Sequence, residues 1–407
     1  MLIRQTRESR KTMTDTTQAD VLVPAFAPAA KANSRSRQGY LFGPWFDFLT
    51  LGGGSLIVCG LIVALLPQGI PTLQQALMVT ILMAAINQPH FAHSYQMFYR
   101  NFKEKAFGAS YARPLRIRYV IAGLVVPAAL IAFLAGTALT GQVRLLAYSA
   151  NLMFFLVGWH YVKQGYGILI VDSVQKRLMF SDRAKAIFRF NGYACWMVAW
   201  VGVNHALSTA NGYIGLTYFS LPLPNAVYYA SIGVAALTSI AVLAAFVQRW
   251  REAKGALPWN GVIAYLTTLY LWVIFVRINP LVLAVIPTFH SLQYLAVVWR
   301  YQLNAGAALA PAHRSMFGAL RPTGVVPRLA MFIGAGVVLG SLGFVIVPRI
   351  LDAGVPYDKH LLGTSFFLFS FYIFINVHHY FLDNVMWRRG NPDVQQYIFS
   401  RPNAGAR

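Results

Sequence analysis

The sequence predicts an all-α membrane protein, a polytopic helical bundle of about ten transmembrane helices. Two compositional observations support this fold class: 57% of the 407 residues are hydrophobic and only 11% are charged, whereas soluble domains are roughly 45–50% apolar and 25% charged. The third observation is a series of apolar segments of about 20 residues, the length needed to cross the hydrocarbon core of a bilayer. Together they exclude a soluble globular protein, a disordered protein and a small disulfide-bonded scaffold.

The first part of the chain differs in composition from the rest. Residues 1–39 are polar, rich in Ser, Thr and Arg, and contain no apolar run long enough for a signal-peptide core. We expect a disordered basic cytoplasmic leader there, then one transmembrane helical domain at 40–390 and a cytoplasmic tail at 391–407. Cys59 and Cys195 lie in apolar stretches without a metal-binding spacing, so we expect them to be packing residues.

Ten apolar segments follow the leader. They lie at residues 44–66, 72–97, 119–140, 145–170, 187–208, 226–247, 260–277, 280–302, 327–348 and 361–385. The least distinct boundary separates the seventh segment from the eighth, where 277–280 must form a very short hairpin and Pro280 suits the first turn of a new helix. No loop between these segments is long enough to fold alone, so we expect a single bundle.

The distribution of basic residues supports this topology. With ten helices, both termini and every second loop lie on one side, and these segments contain all of the 34 Lys and Arg residues except Arg144, Lys163, Arg277, Arg349 and Lys359. This alternation follows the positive-inside rule, and it predicts a multi-pass protein of a bacterial-type inner (cell) membrane with cytoplasmic termini. It also explains the net charge of +22 as a solvated face beside anionic headgroups, so we expect no nucleic-acid partner.

Histidines at one membrane depth are the main functional signal. Four predicted helices, the second, fourth, eighth and tenth, run in the same direction, and six histidines lie within their last three turns before the cytoplasm: His90, His93, His160, His290, His378 and His379. Ionisable residues inside membrane helices are costly and mark functional sites. We therefore predict that these six histidines converge on one centre as metal ligands.

Other polar side chains lie near these histidines. Several precede or follow a histidine by three or four residues and so share its helix face: Asn87, Gln96, Gln164, Gln293, Asn376 and Asp383. Metal-bound imidazoles usually donate their second N–H to such groups, so we predict that these side chains hydrogen-bond to the metal-ligating histidines and orient them. Asp47 lies at the same depth and is expected either to complete the site or to cap the first helix. Tyr161 and Tyr380 are candidate catalytic residues, with interfacial packing as the alternative.

The ligand types narrow the choice of metal. Imidazoles with a nearby carboxylate suit non-haem iron, copper or zinc, and the lack of a cysteine motif argues against iron–sulfur clusters and thiolate-bound haem. A simple zinc hydrolase needs only three protein ligands, fewer than the six histidines available. We therefore expect one or two non-haem iron ions, with haem b as the alternative.

Four short motifs carry a resemblance to known membrane enzymes. They are Pro89-His90-Phe91-Ala92-His93, Trp159-His160-Tyr161, Phe289-His290-Ser291 and Asn376-Val377-His378-His379-Tyr380. Through them the central helices resemble the histidine-rich integral-membrane non-haem iron oxygenases and desaturases, and the chain is also similar to bacterial carotene-cleaving dioxygenases of the Brp/Blh type. Acyl desaturases and alkane hydroxylases carry HxxxH and HxxHH boxes, where this chain has HxxH and HH.

This resemblance implies O2-dependent hydroxylation, desaturation or cleavage of a fatty acyl or isoprenoid chain that enters from the bilayer. It also implies a soluble electron donor at the basic cytoplasmic face. Two other function classes stay open. One is a haem b membrane protein that oxidises quinol, which explains the adjacent histidines least economically. The other is a proton-coupled transporter with a His/Asp relay. The lack of an inverted repeat in the sequence argues against this class.

Overall fold

The computed structural model describes residues 39–67, 73–206, 211–213, 216–309, 325–388 and 390–399. The predicted leader at 1–39 lies outside the described residues except for its last position, and so do residues 400–407 of the predicted tail at 391–407. The described residues belong to one compact unit.

The described chain is almost entirely helical. Its helices, some containing a short π-helical turn, are α1 (Pro44–Leu65), α2 (73–99), α3 (Phe102–Phe107), α4 (Arg113–Leu139), α5 (Val143–Gln175), α6 (Asp182–Ala206), α7 (Asn225–Glu252), α8 (Trp259–Ile278), α9 (Leu281–Leu309), α10 (Val326–Gly354), α11 (Lys359–Leu362), α12 (Phe366–Met386) and α13 (392–399). Two strands of three residues, β1 (Asn211–Tyr213) and β2 (Leu216–Tyr218), pair antiparallel between α6 and α7.

Seven helices in the described part of the chain are long and apolar enough to cross a membrane: α1, α4, α5, α7, α8, α9 and α10. The predicted all-α, multi-pass class is therefore confirmed. Helices α2, α6 and α12 occupy the other three predicted segments. Their polar side chains, among them the histidines of α2 and α12 and the charged first turns of α6, lower the mean hydropathy of these helices.

Five-residue π-helical turns interrupt several long helices, and three of these turns lie next to a proline. Met83–Asn87 comes before Pro89, Ile121–Val125 before Pro127 and Leu342–Ile346 before Pro348. Proline lacks an N–H and clashes with the carbonyl four residues earlier, so the helix widens there by one residue. Because each residue turns the helix by about 100°, the turn before Pro89 changes the face on which His90 emerges.

Two glycines of α10 allow that helix to pack closely against α2. A Cβ atom added at Gly340 of α10 would lie 2.8 Å from the Gln88 Cβ, and one at Gly336 would lie 2.8 Å from the Pro89 Cβ. Such a GxxxG pair lets two membrane helices approach closely. Helix α2 in turn packs against α9 and α12, and α12 packs against α5. The four histidine-bearing helices are thereby brought into one bundle.

Candidate metal centre

Four buried side chains from three helices form a group that can hold a metal ion. They are His90 of α2, His160 of α5, and His379 and Asp383 of α12. Each offers one ligand atom, and these atoms all lie within 4.8 Å of one another. Helix α12 supplies two of them because residues four apart lie on the same helix face. Ligands of one ion bound at about 2.1 Å lie at most about 4.2 Å apart, so side-chain shifts of a few tenths of an ångström close the group.

Unpaired nitrogens show that the group suits a cation. The Nε2 atoms of His90, His160 and His379 are buried and have no hydrogen-bond partner among the described residues. Leaving such an atom unsatisfied costs about 1–3 kcal/mol. The Asp383 Oδ2 atom is 3.4 Å from His379 Nε2 and 3.8 Å from His160 Nε2. Three lone-pair donors and one carboxylate thus converge without bonding to each other, an arrangement that a metal ion would satisfy.

A relay of hydrogen bonds fixes the tautomer of His90. The Ser291 hydroxyl donates to Asn87 Oδ1 at 2.6 Å and lies 3.1 Å from His90 Nδ1. Because the serine proton is already used, His90 Nδ1 must carry the hydrogen and donate to the Ser291 oxygen. The Nε2 atom is then left with its lone pair facing the group, as a metal ligand requires.

Two hydroxyls orient the Asp383 carboxylate in the same way. Ser94 donates to Oδ1 at 2.9 Å and Tyr294 donates to the same oxygen at 3.1 Å. Oδ1 is therefore saturated, and Oδ2 is the oxygen that remains available on the imidazole side. Asp383 was predicted as a supporting residue behind the ligands; the structure places it within the ligand group itself.

His290 of α9 lies beside this group without being part of it. Its ring centroid is 4.8 Å from that of His160 and 5.4 Å from that of His90. Both of its ring nitrogens are buried without a hydrogen-bond partner among the described residues. The ring stacks on Tyr161 at 3.8 Å and 15°, which holds it in place next to the other imidazoles.

A cavity of about 380 Å³ opens beside the group, within the roughly 300–1,000 Å³ range of small-molecule sites. His90 and His290 form part of its wall, while His160, His379 and Asp383 do not. Aromatic and aliphatic side chains make up most of the rest, and no Lys, Arg, Asp or Glu of the described chain lines it. The wall follows α5 from Met153 to Val162, which is about 14 Å by helical rise.

The two tyrosines predicted as catalytic both line this cavity. Tyr161 carries the stacking contact to His290, and no hydrogen bond of its hydroxyl is found among the described residues. Tyr380 stacks on His160 with a centroid distance of 4.8 Å, and its hydroxyl donates to Asn376 Oδ1 at 3.0 Å. Each tyrosine therefore joins the cavity wall to one imidazole of the site.

Two of the six predicted ligands are directed elsewhere, and the structure does not bring them into the metal group. His93 stacks on Phe332 at 3.8 Å, and its Nε2 bonds the Phe332 carbonyl of α10 at 3.0 Å. His378 Nε2 bonds the Ala122 carbonyl at 2.9 Å and its Nδ1 bonds the Tyr95 hydroxyl at 2.8 Å. Both nitrogens of His378 are thus occupied, as is expected for a residue that joins helices.

The predicted supporting residues divide in the same manner. Asn87 supports a ligand through Ser291, as described above. Asn376 reaches His160 only indirectly, through the Tyr380 ring. Gln96 Oε1 lies 3.2 Å from Nδ1 of His93, which is outside the metal group. Gln96 was predicted to support a metal ligand, but the histidine beside it lies outside the metal group.

Gln164 and Gln293 bond to each other at 3.1 Å, and Gln164 also donates to the His290 carbonyl at 2.8 Å. They connect α5 to α9, and neither makes a hydrogen bond to an imidazole among the described residues. Asp47 accepts from the backbone N–H groups of Leu41 and Phe42 at 2.6 and 3.0 Å. Of its two predicted roles, the structure assigns it the one at the start of the first helix.

Sequence reasoning missed Ser94, Tyr294 and Ser291. A usable signal was present, because Ser94 follows His90 by four residues and Tyr294 follows His290 by four. Comparison with family models, with curated proteins and with solved structures found no match. The geometry of the site is therefore the basis for a functional proposal.

Proposed function

We propose that this protein is an integral-membrane, histidine-ligated non-haem iron oxidoreductase that uses O2 to hydroxylate, desaturate or cleave a fatty acyl or isoprenoid chain. The observation that carries the proposal is the buried group of three imidazoles with unpaired nitrogens and one carboxylate, beside an apolar cavity whose wall includes His90. His90, His160, His379 and Asp383 hold the ion, and His290 is the further imidazole next to it.

The donor set supports the choice of iron. Imidazole and carboxylate ligands without thiolate suit non-haem iron, and both cysteines are buried without forming a ligand group. Iron bound here supplies the oxidising power for O2 chemistry, while the protein supplies positioning and exclusion of water. A haem b reading fits less well, because the imidazole rings of His90, His160 and His379 lie only 4.4–6.5 Å apart with a carboxylate beside them.

The cavity supports a lipid substrate. A charged group buried without a partner is costly, so a wall without charged side chains favours the hydrocarbon part of a molecule. His90 and His290 place one face of the site on this wall. Tyr161, with its hydroxyl unpaired among the described residues, is positioned to donate a hydrogen bond to an oxygen atom on the bound chain, and Tyr380 holds the neighbouring His160 ring.

The proposal includes a topology with ten spans. In it α2, α6 and α12 cross the bilayer together with the seven helices already identified, both termini are cytoplasmic and the protein resides in the inner (cell) membrane. The soluble electron donor then binds at the basic cytoplasmic face, where electrostatic attraction favours an acidic partner. Reporter fusions in the leader and after Arg407 should report the same, cytoplasmic side; opposite sides would exclude ten spans.

Lipid analysis tests the reaction. Cells that produce the protein should change their lipid profile only when O2 is present, and the change should disappear with His160→Ala. The matched control is His93→Ala, which removes a buried histidine outside the group and should retain bound iron and activity. Purified protein should contain iron and lack a Soret band. Identical lipid profiles with and without the protein would refute the oxygenase and favour the His/Asp proton relay of a transporter.

A second variant tests the cavity separately from the metal. Ala199 lines the cavity, so Ala199→Phe fills part of the substrate space without touching a ligand. We expect strongly reduced turnover with an unchanged iron content. Ala236→Phe on the exposed side of α7 is the control and should behave like the unaltered protein. Full turnover in Ala199→Phe would show that the substrate binds elsewhere.

A further inference from the structure

A series of aromatic side chains leads away from the metal group and takes no part in the cavity wall. In order from the group, its members are Tyr294, Trp387, Tyr301 and Tyr397. None of them lines the cavity. We call these four residues the aromatic series.

The aromatic series begins in contact with the proposed ligands. The Tyr294 ring centroid lies 4.6 Å from that of His90 and 5.8 Å from that of His379. The Tyr294 hydroxyl donates to Asp383 Oδ1 at 3.1 Å. This residue therefore touches three of the four members of the metal group, through ring contacts and one hydrogen bond.

The following steps are short and uninterrupted. Ring centroids are 5.7 Å apart between Tyr294 and Trp387, 6.2 Å between Trp387 and Tyr301, and 5.2 Å between Tyr301 and Tyr397. Tyr294 and Tyr301 are seven residues apart on α9, which is about 10.5 Å by helical rise. Trp387, at the end of α12, fills the gap between them.

The series ends at the C-terminal segment α13. Tyr397 is half-buried, and its neighbours Gln395 and Gln396 are exposed. The Asn304 amide of α9 donates to the Tyr397 carbonyl at 2.7 Å, which holds the segment against the bundle. Under the proposed topology this end of the series lies at the cytoplasmic face, where the electron donor is expected.

We propose that the aromatic series is the electron path between a soluble one-electron donor at the cytoplasmic face and the metal group. Tyrosine and tryptophan are the aromatic side chains that are oxidised most readily, and ring contacts of this length allow fast electron transfer between them. The proposal rests on the proposed function. It also narrows that function, because hydroxylation and desaturation consume external electrons, whereas cleavage by a dioxygenase does not.

The electron balance is as follows. Tyr294 gives one electron to the oxidising site, and its hydroxyl proton shifts along the hydrogen bond to Asp383 Oδ1. Trp387 then reduces Tyr294, and the proton returns from Asp383. Tyr301 and Tyr397, both half-buried, are oxidised in turn; each releases its hydroxyl proton to solvent when it is oxidised and takes one back when it is reduced. The last electron comes from a reduced flavin or iron–sulfur protein. The series is unchanged after each passage. Two such passages supply the two electrons that, with two protons, convert a C–H group and O2 into an alcohol and water.

A light-triggered measurement tests this path in full-length protein without any metal. Gln396→Cys provides an exposed thiol for a ruthenium polypyridyl label, while Cys59 and Cys195 are buried. A flash in the presence of an external electron acceptor oxidises the label. We expect transient absorption to show the label being re-reduced as a tryptophan radical appears. Trp387→Phe should abolish this radical, whereas the exposed Trp250→Phe should retain it.

The outcomes are separable from the proposed function. The electron path is overturned if no tryptophan radical forms in the labelled parent protein. It is also overturned if the same tryptophan radical still forms in Trp387→Phe. Neither outcome affects the lipid analysis. In protein loaded with iron(II), the same flash should yield iron(III) in the parent and much less in Trp387→Phe. Equal iron oxidation in both would also overturn the path. Retained iron binding in Trp387→Phe confirms that the variant is folded.

Discussion

Removing either hydroxyl that holds Asp383 should weaken iron binding by about 10–100-fold, the usual effect of losing a partner behind a metal ligand. Ser94→Ala and Tyr294→Phe each remove one of the two hydrogen bonds to Oδ1, at 2.9 and 3.1 Å, and leave every proposed ligand atom in place. Because a tenfold change in affinity equals about 1.4 kcal/mol, each variant should lose about 1.4–2.8 kcal/mol of binding free energy.

The double variant should lose more than the two single losses combined. After one substitution the other hydroxyl still satisfies Oδ1. After both, no hydroxyl donates to this buried carboxylate oxygen, which costs a further amount of about 1–3 kcal/mol, and the carboxylate can rotate Oδ2 away from the imidazoles. A loss equal to that of Ser94→Ala alone would mean that Tyr294 does not act through Asp383.

The assay is an anaerobic titration of purified full-length protein with iron(II), in competition with a coloured chelator. Ser149→Ala is the matched control, because Ser149 is also buried in a membrane helix but donates to the Leu146 carbonyl of its own helix. Its affinity should equal that of the unaltered protein. The reasoning is refuted if Ser94→Ala and Tyr294→Phe bind iron as tightly as Ser149→Ala does.

Three further predictions concern stability. Burial lowers the pKa of Lys105 to about 8, so the unfolded chain binds more protons than the folded chain between about pH 8 and 10.5. The free energy of unfolding in detergent should therefore rise with pH over that window, by at most about 3 kcal/mol. Lys105→Met should remove this rise. Gly340→Leu should lower the melting temperature by overpacking against Gln88, a cost of about 1–3 kcal/mol, whereas Gly334→Leu, with open space around it, should not. Asp47→Ala leaves the backbone N–H groups of Leu41 and Phe42 without their acceptor, so it should destabilise the protein by about 1–3 kcal/mol with unchanged iron stoichiometry.

Hydrophobic periodicity and length could predict the helices, but the polar residues of the site affect the count of spans. Helix α12 contains Asn376, both histidines and Asp383 within an otherwise apolar, largely aromatic sequence. These side chains bring its mean hydropathy below that of the seven apolar helices. A segment that carries a buried site therefore shows a weaker membrane signal than a helix that faces lipid. The expected ten spans include such segments.

Membrane depth could predict which helices carry the site, but it could not predict which imidazoles face it. His378 and His379 are adjacent, so they point about 100° apart and cannot share a helix face. No local sequence pattern indicated the hydrogen-bond partner of His378. Pro127 lacks an N–H, which frees carbonyls in the preceding turn, and the Ala122 and Gly123 carbonyls there accept from His378 and Tyr99. This pairing depends on α4 lying against α12.

The same limit explains His93. It shares a helix face with His90 in the regular spacing of three, yet the close approach of α10 at Gly336 places the Phe332 carbonyl at its Nε2. A glycine in a distant segment thus decides the role of a histidine. The sequence contains both residues, but no local pattern connects them, and a contact between α2 and α10 had to be known first.

The two sides of the metal group have different chemistry, and this separates substrate from electrons. His90 and His290 meet an uncharged cavity, whereas Asp383 accepts from Ser94 and Tyr294, where the aromatic series begins. Blocking each side should therefore give a different defect. Ala199→Phe should stop lipid turnover while light-driven iron oxidation continues, because the path on the other side is intact. Trp387→Phe should slow iron oxidation while the affinity of the cavity for lipid is unchanged. If one variant produced both defects, the two sides would not be independent.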